Sequence, residues 1–218
     1  MSSATQRITG FRPAAEPVTA PVTKFGGQPT WLEEPAWPAS WAWDRPMRFV
    51  CQVALDDGRL AYVFLTHADH DEPDFFDPDV MSPDGGENAV ITQPGGHYDG
   101  PVSASATGPT LYLEDGSPAE FTVDLEAADE PDFLPQKRYV QLSEEEQSRY
   151  YDAVSGNKIG GAPAFFQGDD WPEDGPWQLL LQLDPDELPC HLNLSAAPLV
   201  FAFVSGDGRR GRLLVQDS

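Results

Sequence analysis

Apolar residues in this chain come in short runs cut by Gly, Pro and Asp, a pattern of strands and tight turns rather than of long helices. Residues 47–55 form an almost unbroken apolar run, Asp56-Asp57-Gly58 is a turn, and residues 60–66 form a second run. Together they predict a β-hairpin. Further strands are predicted over 88–93, before a Pro94-Gly95-Gly96 turn, and over 101–107, 110–114 and 119–125, where apolar and polar positions alternate with period two. Residues 177–183, 198–204 and 210–215 complete the set, with Gly206-Asp207-Gly208 as the turn between the last two. One helix stands out. Ser143 and Glu146 have the spacing of a capping box, acidic residues fill the first turn, Gly156 follows as a stop, and Tyr150, Tyr151 and Val154 share one side. Residues 1–22 are rich in Pro, Ala, Thr and Ser without periodicity, so an extended or poorly ordered arm is expected there, outside a domain spanning 23–218.

The patterned part repeats itself. Lys24-Phe25-Gly26-Gly27-Gln28-Pro29 is echoed by Lys158-Ile159-Gly160-Gly161-Ala162-Pro163, and Trp37-Pro38 by Trp171-Pro172, both at an offset of 134 (158 − 24 and 171 − 37). An apolar run closing on glutamine follows each, at Gln52 and Gln182, where the offset falls to 130 (182 − 52) because a loop is shorter. The expected fold is therefore mainly β (α+β): two diverged repeats of a β-rich unit, about 23–142 and 157–218, in a pseudo-symmetric single domain with one short helix between them. Trp31, Trp37, Trp41 and Trp43 crowd a Pro-rich passage that cannot be helical. Their rings are expected to seal the open edge of a sheet or to line a groove.

This constellation, together with Asp84-Gly85-Gly86-Glu87-Asn88-Ala89-Val90-Ile91 and the closing stretch from Phe203-Val204-Ser205 to Leu214-Val215-Gln216, resembles the YwqG-like family of uncharacterised bacterial proteins. The likeness runs from about Lys24 to the end, with no family phrase between about 94 and 135. It implies an intracellular, mainly β fold with two related halves and one short helical insertion. It implies no activity.

Charge narrows the range of partners. Asp and Glu number 36 against 13 Lys and Arg, a net charge of −23, which repels phosphate backbones at long range and disfavours nucleic acid. Such a surface suits a basic protein partner, polyamines or divalent cations, and it also serves plain solubility. No charged start followed by an apolar stretch is present, and no run approaches bilayer length, so neither a signal peptide nor a membrane span is predicted and the expected place is the cytoplasm. Cys51 and Cys190 make neither a disulfide framework nor a metal spacing.

Candidate chemistry is sparse. The loop 67–87 concentrates acids and offers His67, His70, Asp69 and Asp71 as weak candidates for a divalent cation such as calcium, but Pro73 and Pro78 interrupt any EF-hand spacing, so a solvated acidic loop is the plainer reading. Lys24 and Lys158 are two of only three lysines and hold equivalent places. A structural ammonium bonded to carbonyls or a carboxylate explains them best, with ligand binding as the alternative. No Gly-x-Ser-x-Gly elbow or Walker loop occurs, and Cys190 next to His191 is adjacency rather than a nucleophile–base pair. Two functional readings remain. One is a non-enzymatic acidic module recognising a basic protein in the manner of an immunity or antitoxin protein, with Trp41 and Trp43 beside the acidic loop as its binding face. The other is a small hydrolase or ligand-binding enzyme with its site between the halves.

Overall fold

A computed structural model describes residues 5–72 and 74–217; Met1 to Ala4, at the head of the expected arm, Pro73, within the acidic loop, and Ser218 lie outside the described residues. The strands are β1 (Thr5–Pro13), β2 (Lys24–Gly26), β3 (Trp37–Pro38), β4 (Arg48–Ala54), β5 (Leu60–Leu65), β6 (Asn88–Gln93), β7 (Val102–Ser103), β8 (Glu120–Ala128), β9 (Lys158–Ile159), β10 (Trp177–Leu183), β11 (Pro198–Ser205) and β12 (Gly211–Asp217). Two helices, α1 (Gln136–Tyr139) and α2 (Glu144–Val154), lie between β8 and β9. Ten strands form one antiparallel sheet in the order β12-β11-β10-β9-β1-β8-β2-β4-β5-β6, and β3 pairs with β7 apart from it.

Burial on both faces of this sheet explains why its strands read as unbroken apolar runs instead of alternating. Along β5, Ala61, Val63 and Leu65 enter the large interior core, while Leu60, Tyr62 and Phe64 point outward under a second layer with Trp37, Met47 and Phe49. Along β11 the same division puts Val200, Ala202 and Val204 inside and Phe201 and Phe203 outside, against Phe165 and Trp171. The sheet bends until its outer strands nearly meet. Thr92 Oγ1 donates to the Arg209 carbonyl at 3.2 Å, the His97 N–H donates to the same oxygen at 2.8 Å, and Arg59 donates to the Gly208 carbonyl at 2.6 Å. Gly211 makes the approach possible, since a Cβ there would fall 2.4 Å from that of Val90.

The expected N-terminal arm is instead the middle of the sheet. β1 pairs with β8 along its length and with β9 through Gln6 and Arg7. Its own pattern is too polar to announce a strand, and its order comes from neighbours on both sides: Phe11 packs edge-on against Phe25 at 5.1 Å and Phe121 at 6.5 Å. Residues 14–22 are likewise tied down, with Ala14 N–H on the Glu120 carbonyl and Val18 N–H on the Glu120 carboxylate. The strands expected over 101–107 and 110–114 shrink to Val102–Ser103 and isolated bridges at Thr110 and Tyr112. The helix from Ser143 forms with both halves of its capping box in place and Val154 buried. α1 was not expected.

The two ends of the sheet share a set of contacts, position for position. Gln52 Nε2 donates to the Val22 carbonyl at 2.8 Å and its Oε1 accepts the Thr30 N–H at 2.8 Å; Gln182 does the same with the Gly156 carbonyl at 2.9 Å and the Ala164 N–H at 2.8 Å. Both partners lie 134 residues on (156 − 22 and 164 − 30). Gln93 Oε1 accepts the N–H groups of Leu32 and Glu33, and Gln216 Oε1 those of Phe166 and Gln167. Ring centroids match too: Trp31 to Tyr62 and Phe165 to Phe201 are both 4.9 Å, while Trp37 to Phe64 is 5.3 Å and Trp171 to Phe203 is 5.4 Å. β4 and β10 each carry a register shift at the same place, between Phe49 and Cys51 and between Leu179 and Leu181. The indoles of Trp31 and Trp37 thus cover the outer face of a sheet rather than sealing its edge.

Candidate functional site

The turn between β3 and β4 is closed by the Ala39–Pro46 bridge and by Ser40 N–H on the Arg45 carbonyl, which leaves Trp41 and Trp43 at its tip. They are 61% and 51% exposed, against 1% for Trp37 only a few residues earlier. Their backbone is nevertheless held firmly. Glu87, fully buried, accepts the N–H groups of Trp41 at 3.1 Å and Ala42 at 3.0 Å through one carboxylate oxygen, while its other oxygen has no hydrogen-bond partner. Trp43 N–H bonds Ser40 Oγ at 2.9 Å, its indole Nε1 donates to Asp77 Oδ2 at 2.6 Å, and its ring meets Phe75 edge-on at 5.3 Å. Two large rings are thus presented to solvent, Trp43 with its ring held and Trp41 on a held backbone. Beside Trp41, Gly86, Tyr98, Asp84, Asp99 and Arg212 line a cleft of about 120 Å³ where the outer strands approach.

The loop 67–87 is less open than its composition suggests. His67, Asp77 and Glu87 are buried, and Val80 enters the main core. Asp77 caps a 3-10 turn over Pro78–Met81, and the Asn88 amide donates to the carbonyls of Val80 and Ser82. Of the candidate metal ligands, His67 has both ring nitrogens engaged: Nδ1 lies 2.9 Å from the Ala68 carbonyl oxygen, and Nε2 accepts the Asn193 N–H at 2.8 Å. That pairing fixes the proton on Nδ1. Burial holds the ring's pKa down at about 4, so it is neutral. Asp69 pairs with Arg48 at 2.5 Å, His70 Nε2 meets the Glu114 carbonyl at 3.0 Å, and Asp71 is exposed. Among the described residues no three His, Cys, Asp or Glu side chains gather where one metal ion would be held.

Lys24 and Lys158 are buried at the centre of the sheet. Lys24 Nζ donates to the carbonyls of Val18 at 2.6 Å and Gln28 at 2.7 Å and to Glu120 Oε1 at 2.7 Å, which uses all three of its protons. Lys158 Nζ donates to the Ala162 carbonyl at 2.6 Å and Glu130 Oε2 at 2.7 Å, and Glu130 also takes Arg7 at 3.1 Å. Burial pulls the Lys158 pKa down to about 8 against the opposing pull of Glu130. Both ammonium groups therefore hold the backbone together and are not presented to a ligand. Neither counter-ion was foreseen. Glu120 and Glu130 come from the start of β8 and just past its end, 96 and 28 residues from their lysines, and nothing distinguishes them locally among the many acids.

Cys190 is mostly buried, which pushes its thiol up to about 11 and removes it as a thiolate nucleophile near neutrality. His191, Tyr112 and His67 do cluster, with ring centroids 5.7 to 6.2 Å apart, but the Tyr112 hydroxyl is turned to the Ala68 carbonyl. No protein-family model matches the chain, and no curated protein matches it. Among the described residues no helix is long and apolar enough to cross a membrane.

Proposed function

We propose that the chain is a duplicated β unit of the YwqG-like type, acting in the cytoplasm as an acidic recognition module for a basic protein. Trp41 and Trp43 are its anchors. The observation that carries this reading is the pair of exposed indoles on a turn fixed by buried Glu87 and Asp77, in a chain of net charge −23. Recognition surfaces favour such rings because they bring large contact area at little cost in side-chain freedom, and surrounding carboxylates speed the encounter with a cationic partner. The shared contacts at the two ends of the sheet support the duplication. They also make the Trp41–Trp43 turn a departure from it, since Pro172 is followed within a few residues by β10 whereas Pro38 is followed by this longer excursion. A duplicated framework with one elaborated loop places specificity in that loop.

The test uses a lysine-rich polypeptide as the probe and follows tryptophan emission on mixing. Association that slows as salt rises, and that weakens about tenfold or more in the Trp41→Ala/Trp43→Ala double variant, supports the reading. If the double variant binds as the parent does, only diffuse charge is at work and the indoles have no recognition role.

A further inference from the structure

At the first end of the sheet the outer aromatic layer is covered by the chain itself. Residues 106–110 lie across it: the Ala106 carbonyl accepts Trp31 Nε1 at 3.0 Å, Gly108 exchanges two hydrogen bonds with the Gln28 amide at 2.9 and 3.0 Å, the Pro109 carbonyl accepts the Phe49 N–H at 2.9 Å, and the Thr110 carbonyl accepts the Arg48 guanidinium. Gly108 rests on the Trp37 ring so closely that a Cβ would come within 2.7 Å of it. Trp31 moved by the offset already found gives Phe165, whose ring has no N–H to donate; the other contacted positions give Ala162 for Gln28, Trp171 for Trp37, Gln178 for Arg48 and Leu179 for Phe49. These last four line a cleft of about 310 Å³ on the other end, together with Gly161 and Asp132.

We infer that this cleft is a docking groove for an extended Gly-Pro-containing segment of a basic partner, its glycine set against Trp171 as Gly108 is set against Trp37, without the Gln28 and Trp31 side-chain bonds, whose equivalents are Ala162 and Phe165. The glycine would sit on Trp171, because only the lack of a Cβ lets backbone approach a ring that closely. Asp132, exposed at the mouth, and the overall charge favour lysine or arginine beside the Gly-Pro pair. Phe133, packed edge-on against Trp171 at 5.3 Å, borders the cleft on one side. This groove is distinct from the Trp41–Trp43 face and stands whether or not that face binds anything.

The probe is a synthetic peptide with the sequence of residues 103–111 flanked by one lysine at each end. It is expected to bind one per chain with a Kd on the order of 100 µM, modest because a short peptide loses its freedom on binding. Replacing its glycine by valine should weaken binding about tenfold or more, since a side chain there collides with the indole. Gln178→Trp, at an exposed position that fills the groove, and Asp132→Lys should each weaken it by a similar factor, about tenfold, without moving the unfolding midpoint. The Trp41→Ala/Trp43→Ala variant should bind the peptide as the parent does. Absence of binding, indifference to the glycine-to-valine change, or retention of affinity in Gln178→Trp would overturn the groove. So would loss of affinity in the Trp41→Ala/Trp43→Ala variant.

Discussion

Trp37 and Trp171 sit on equivalent phenylalanines at nearly equal distances, 5.3 and 5.4 Å, yet Trp37 is sealed and Trp171 borders an open cleft. The difference lies not in the sheet beneath them but in what crosses above. One end has a connection between β6 and β8 that folds back over its own aromatic layer; at the other, Phe133 packs edge-on against Trp171 beside the cleft. The matched contacts beneath are thus covered from within at one end and bordered by open space at the other.

Removing the rings themselves should expose this contrast most strongly. Trp37→Ala is expected to lose about 3–5 kcal/mol in urea unfolding, for a large cavity and the loss of its hydrogen bond to the Met47 carbonyl. Trp171→Ala, partly open to water already, should lose roughly half as much. An equal or larger loss at Trp171 would mean that its end is as tightly sealed as the first.

The counter-ions provide the next comparison. Glu130→Ala leaves Lys158 and Arg7 without their shared carboxylate in a dry site, and about 3–5 kcal/mol should be lost. Glu120→Ala should lose less, because that carboxylate is partly exposed and water can replace it beside Lys24. Finding the reverse order would place the more buried pair at the first end.

Acid should act through the contact that joins the loop 67–87 to the segment after β10. His67 has a folded pKa of about 4 against an ordinary 6.5, so between these values the unfolded chain binds a proton that the folded one refuses. Stability from this group is complete above pH 6.5 and is lost as pH falls toward 4, by about 3 kcal/mol in all. His67→Gln should flatten the unfolding profile in that window; a profile as steep as the parent's would assign acid sensitivity to other groups. Lys158 works in the opposite range with the same sign. Its lowered pKa, about 8 against 10.5, makes its contribution more favourable as pH rises between those two values.

The smallest effect is expected at the exposed turn. Trp41→Ala and Trp43→Ala should each change stability by no more than about 1 kcal/mol, since most of each ring is in water. A loss as large as that of Trp37→Ala would make the turn part of the core.

The hairpin β4–β5, β6, β10, β11, β12 and the capped helix were legible because each carries a local signal: an apolar run between turn residues, or a cap at fixed spacing. The twin glutamines and lysines were legible through their equal spacing, and in the structure each pair makes matching bonds to the backbone. β1 was missed because its order depends on β8 and β9, far along the chain, and not on its own pattern. Glu87 and Asp77 were counted as members of a solvated loop, since a buried carboxylate holding N–H groups has the same letter as one in water. The stretch from about 94 to 135, which matched no recognisable phrase, holds the cover over Trp37 and both lysine counter-ions. The cover is where the two ends differ, and a carboxylate counter-ion is what the two lysines have in common.

The central position of β1 also has a bearing on the order in which the protein can assemble. Arg12 and Asp124, partners across β1 and β8, are 112 residues apart, so at ordinary rates of translation the first strand waits on the order of ten seconds for its mate. During that time its backbone donors and acceptors are unclaimed, which in an apolar strand would invite pairing with a neighbouring nascent chain. Gln6, Arg7, Thr9 and Arg12 make it a poor template for such an error. The polarity that hides β1 from sequence patterning is thus a protection for a strand that must be made early and used late.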